Sequence, residues 1–224
     1  MCFSAQASFA ASAALIFISA LCFKKAQNNK QRLLASGPLF FGIQQFLEGL
    51  VWVTLNNGDS ASALHMCGIY GFLSFAYIFW PLYVPFTVYL FEKDPMRKKI
   101  ELGLCALGSF IATSGLLALT LFGYKAHALH HHIVYEYIPS HFTIFSAPAL
   151  MALQYILLAL YTVVIVGSMV ISTTPYMWLM GCLIALGFIV AQILFAVAFG
   201  SVWCFFGALA SMVIYFSITK MHKK

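Results

Sequence analysis

Long apolar runs alternate with short polar breaks along the chain, and each run is long enough to cross a bilayer as a helix. The runs cover about 5–23, 33–55, 64–91, 100–122, 149–170, 177–199 and 202–218 when about 20 residues are allowed per crossing. Lys24 and Lys25 end the first, and Pro81 and Pro85 bend the third. Thr173, Thr174 and Pro175 mark the turn before the sixth. Gly200 and Ser201 read as a tight break between the last two, because roughly 40 apolar residues cannot cross once. Residues 123–148 form a connection far longer than the roughly 2–8 residues usual between bundle helices, which predicts an ordered loop. The pattern predicts an all-α fold, a single-domain integral membrane bundle of seven transmembrane helices with no internal repeat and no soluble appendage.

Composition sharpens the class. Of 224 residues, 62% are apolar and only 8% charged, against roughly 25% charged in a soluble domain. A soluble enzyme, a disordered chain and a nucleic-acid-binding domain are excluded.

Charge fixes the expected orientation. Lys24, Lys25, Lys30 and Arg32 follow the first run; Lys93, Arg97, Lys98 and Lys99 follow the third; Lys220, Lys223 and Lys224 follow the seventh. With seven spans these eleven fall on one side and Lys125 alone on the other. Basic residues favour the cytoplasmic side, so the amino terminus is expected outside and the carboxyl terminus inside. The net charge of +6 therefore reads as topology and lipid contact, not as a nucleic-acid surface. The first run carries its positive charge after the apolar stretch, unlike a cleavable signal peptide.

Orientation gathers the candidate chemistry on the outer side. Glu48 lies about two turns from the outer end of the second run, where a carboxylate is costly and tends to face a cavity or bundle interior. Gln44, Gln45 and Trp52 share its helix face, which is either a polar pocket wall or a structural knot of hydrogen bonds. His65, His127, His130, His131, His132 and His141 fall outside, and imidazole is the commonest metal ligand. A divalent metal such as zinc held by His65, His132 and Glu48 is one reading, and a solvated His-rich loop is the other. Cys2, Cys67 and Cys204 lie near the outer face and offer a disulfide or free thiols, whereas Cys22, Cys105 and Cys182 lie in inner halves. Trp80 and Pro81 suggest a kinked pocket wall. Span seven holds no Lys for a retinal Schiff base. Phosphate loops, selectivity filters, Arg ladders and a Ser nucleophile elbow are absent from the sequence.

Five motifs, MCFSAQASF at the start, QQFLEG at 44–49 with Trp52 after it, FWPLYVP at 79–85, HHIVY at 131–135 and SVWCFF at 201–206, resemble a group of bacterial multi-pass membrane proteins that begin with MCFSA. The resemblance implies an inner (cytoplasmic) membrane location and no known activity. It marks Cys2, Gln45, Glu48, Trp52, Trp80, Pro81, His132, Tyr135, Trp203 and Cys204 as matched positions. In helix count and outer His the chain is also similar to the seven-helix metal-dependent hydrolases that include alkaline ceramidases and adiponectin receptors, but span seven lacks their pair of His four apart.

Three functions follow as expectations. One is an outward-facing polar pocket of Gln44, Gln45, Glu48, Trp52, Trp80, Tyr135 and Trp203 that binds a metal or small ligand. The second is a membrane-embedded metal-dependent hydrolase of lipid-like substrates. The third is a structural or assembly protein without small-molecule chemistry.

Overall fold

The structure, a computed structural model, describes residues 4–129, 131–138 and 147–222. Among them, seven helices are long and apolar enough to cross a membrane. We label them α1 (Ala5–Lys25), α2 (Asn29–Asn56), α3 (Ala63–Phe91), α4 (Pro95–Leu121), α5 (Ala147–Thr162, continuing through Val163–Gly167 into Ser168–Ile171), α6 (Met177–Leu194) and α7 (Ala196–Met221). Several starts are written in the sequence as capping residues. Ser4, Asn28, Ser62 and Asp94 each accept a hydrogen bond from the backbone N–H three residues on.

The break between the last two spans differs from expectation. Helix α6 ends at Leu194, Phe195 leaves helical geometry at φ −138° and ψ 35°, and a single 3₁₀ turn at Ala196–Ala198 opens α7. Gly200 and Ser201 are helical. A glycine punctuates soluble chains, but glycine is frequent inside membrane helices.

Over its described residues, the ordered polar connection takes the form of a β-hairpin. Strands β1 (Gly123–Leu129) and β2 (His132–Ile138) pair antiparallel, with Ala126 opposite Tyr135 and Lys125 opposite Glu136. His131 sits at the turn with a positive φ of 64°. Ile133 and Val134 are buried at 0% and 3% exposure, so β2 is part of the core. Non-helical backbone at such a position is tolerated because protein surrounds it.

Helix α3 carries a π turn at Phe75–Phe79, directly before Trp80 and Pro81. Pro81 and Pro85 have no N–H, so the carbonyls of Tyr77 and Pro81, four residues before each, lose their helical donors. Glycines of α4 close over both. A Cβ at Gly115 would stand 2.7 Å from Tyr77 O, and one at Gly108 would collide with Pro81 O. The two glycines are seven residues apart, on one face, and let the backbones approach.

The helices leave two ends. One holds the hairpin. At the other, Lys30 Nζ donates to Leu90 O at 2.7 Å and Arg97 Nη1 to Ile171 O at 2.6 Å, cations on the carbonyl-rich ends of helices. Lys25 donates to Thr219 Oγ1 and lies over the Tyr215 ring. Glu92, 3% exposed, joins two loops there. Its carboxylate accepts from the N–H groups of Lys93, Asp94 and Thr173 and from the Thr173 hydroxyl, at 2.8–3.0 Å. Burial works to raise the Glu92 pKa, but these hydrogen bonds outweigh it and hold the carboxyl below its usual range.

Candidate functional site

The site grows from one face of α2. Gln44, Gln45 and Glu48 recur at helical spacing, and all three have no exposed surface. Gln45 Nε2 donates to Glu48 Oε2 at 3.3 Å, within the same helix. The Ser201 hydroxyl of α7, also fully buried, donates to Glu48 Oε1. This contact exists because α7 starts at Ala196, which puts Ser201 in its second turn and turns it onto α2.

One turn away, Gln44 links three elements. Its Oε1 accepts from Trp80 Nε1 of α3 at 2.8 Å, and its Nε2 reaches Cys204 Sγ of α7 at 3.4 Å and Phe72 O at 3.5 Å. Ser201 and Cys204 lie three residues apart, matching Glu48 and Gln44 across the interface. The Trp80 ring stacks on Phe41 with centroids 3.8 Å apart. The hairpin joins from its own end, where Tyr135 stacks on Phe72 at 4.7 Å, nearly parallel.

Below this polar layer, toward the basic end, lies an apolar cavity of about 60 Å³. Trp80, Trp203 and Cys204 line its upper part, and Leu34, Val88 and Ile214 its lower part. Trp203 Nε1 is committed to Ile184 O at 3.1 Å.

The structure therefore gathers only part of the expected site. Gln44, Trp80 and Cys204 form one network, and Gln45 and Glu48 adjoin it. Trp52 is buried elsewhere, in the cluster with Ala5, Tyr124 and Ala126. His65 is spent locally, its Nδ1 2.7 Å from Thr54 Oγ1. His132 is 8% exposed and meets the Phe195 ring edge-on at 4.8 Å. Among the described residues no three His, Cys, Asp or Glu side chains converge, so His65, His132 and Glu48 do not form a ligand set. Cys67 is an exposed free thiol and Cys204 a free thiol in the network, so the two are not bonded to each other. Cys2, His130 and His141 lie outside the described residues.

Sequence reading missed Ser201, Glu92 and Glu101. Ser201 was hidden by the misplaced break. Glu101 is completely buried in the second turn of α4 and faces Ser168 of α5, although its place near a span end reads as interfacial. The signal was there in Asp94-Pro95, a capping residue and a first-turn proline, which start α4 well before residue 100.

No curated protein and no solved structure matches the chain. Over residues 1–224 it matches, and so belongs to, the family of unknown function DUF6629.

Proposed function

We propose that this polytopic membrane protein is a binding protein for a small ligand, with its site in the layer of Gln44, Gln45, Glu48 and Ser201. The observation that supports the reading is a carboxylate and two amides, all without exposed surface, set against a buried hydroxyl from another membrane helix. Polar groups so placed within spans are costly and mark binding sites or ion paths by default. Gln45 Oε1 accepts no hydrogen bond among the described residues. A ligand with an N–H or O–H donor satisfies that acceptor. The hairpin, docked through Tyr135 on Phe72, is the cover through which such a ligand passes. We place the hairpin end outside and the basic end in the cytoplasm of a bacterial inner membrane, on the sorting of eleven of twelve basic residues.

The test is native mass spectrometry of the purified chain, wild type against Glu48→Gln and Gln45→Ala, with metal analysis of the same samples. A small molecule retained by the wild type and lost from both variants supports the reading. Equal, ligand-free spectra in all three overturn it. One equivalent of zinc lost on His132→Ala would replace it with the metal-dependent hydrolase.

A further inference from the structure

We infer that the apolar cavity takes the hydrocarbon chain of an amphiphile, with its polar head toward the Gln44 layer; this rests on the binding reading above and names its ligand class. The first argument is shape. Cavity-lining residues run from Leu34 to Phe41 on α2 and from Trp80 to Val88 on α3. At 1.5 Å per residue these stretches are about 10 and 12 Å long, parallel to the helix axes. The void of about 60 Å³ is smaller than the roughly 150 Å³ that takes a benzene ring. The narrow end of an alkyl chain, lying along the helix axes, therefore suits it better than a compact ring system does.

The second argument is wall chemistry. Three of the polar groups on the wall are already committed. Trp80 Nε1 is bonded to Gln44, Trp203 Nε1 to Ile184 O, and the Tyr83 hydroxyl donates to Leu33 O at 2.5 Å. Apart from the hydroxyls of Thr87 and Tyr161 and the Cys204 thiol, the remaining lining is aliphatic, aromatic, Met or Gly, so the wall is predominantly apolar. A cavity of this kind stays dry and accepts apolar matter. Met169, Met177 and Met180 on the α5 and α6 side are flexible enough to adjust to chain length.

The third argument is polarity along the slot. Its upper end meets Cys204 and Trp80, both hydrogen-bonded to Gln44, one turn from Glu48. A chain in the slot therefore ends beside the polar layer, which a headless hydrocarbon would leave unused.

The cavity tryptophans report occupancy directly. Trp178 is more than half exposed, so the full chain carrying Trp178→Phe is reconstituted in nanodiscs. Trp52, in the other core cluster, gives a constant background. One arm titrates dibromostearic acid into phosphatidylcholine discs; the other uses discs of dibrominated phosphatidylcholine. Bromine quenches indole at contact, and an occupied cavity predicts at least a twofold fall in Trp80 and Trp203 emission. Saturable quenching by the acid identifies a free single-chain amphiphile. Quenching in the brominated discs alone identifies a chain of a bilayer lipid. Either must be lost in Val84→Phe, which fills the slot, with Ile214→Phe as a second filling variant should the first not fold. No quenching in either arm, or quenching that survives both filling variants, overturns the inference. Quenching that is lost in Val84→Phe but unmoved by Glu48→Gln leaves the chain site standing and removes the head site, so the two failures are distinguishable.

Discussion

The Ser201 hydroxyl of α7 donates to the Glu48 carboxylate of α2, two residues 153 positions apart and both without exposed surface. Leaving a buried acceptor without its donor costs about 1–3 kcal/mol. Ser201→Ala is therefore expected to destabilise the purified protein by about 1–3 kcal/mol. Glu48→Gln should cost less, because the amide oxygen still accepts from Ser201. Denaturant unfolding of both variants and the double variant measures the pair directly. Additive effects within about 0.5 kcal/mol would show that the two side chains do not act together.

Glycines of α4 separate cleanly into two kinds. Gly108→Ala and Gly115→Ala drive a methyl into the carbonyls of Pro81 and Tyr77. Overpacking against backbone costs about 1–3 kcal/mol, so both should lower the unfolding midpoint. Gly103 has nothing within 4 Å of an added Cβ, and Gly103→Ala should be neutral or stabilising by up to about 1 kcal/mol. A melting series of the three in one micelle checks the ordering.

Glu92 predicts an acid limb in the stability profile. Its folded pKa is depressed, so its contribution is complete above the unfolded carboxylate value of about 4.3 and is lost as pH falls through the lower folded value. Wild type should therefore lose melting temperature below about pH 4 more steeply than Glu92→Gln. Above that range the variant should melt lower than wild type by a constant margin. Parallel acid limbs in the two proteins would refute the assignment.

Side-specific labelling tests the orientation. In a cysteine-free background, Lys125→Cys on the hairpin should react in intact cells with a membrane-impermeant maleimide, and Lys30→Cys should react only after lysis. The reverse pattern would turn the bundle over.

The spans were legible because the bilayer sets a length that few other structures require, and Asp94-Pro95 or Ser62 show where helices begin. The 6–7 boundary was misread at Gly200, since a glycine's meaning depends on what packs against it, and nothing lies within 4 Å of its Cβ position. The hairpin was readable in part. Ile133, Val134, Tyr135 and Tyr137 are strand-forming types, but the five His of residues 123–148 point as readily to a metal. The Gln44–Glu48 face was visible from spacing alone. Its partners Ser201 and Cys204 were not, because pairing across more than 150 residues is a product of tertiary packing.

The π turns in α3 and α5 each take up one more residue than an ordinary turn. Every residue that follows is thereby rotated by about 100° relative to an uninterrupted helix. In α3 those residues include Trp80, Val84 and Val88; in α5 they include Met169, all cavity-lining. Deleting one residue from 75–79 would restore a regular helix and swing Trp80 away from Gln44, emptying one wall of the slot without changing a single side chain that forms it. Chain length within those two turns, as much as residue identity, decides which side chains the interior sees.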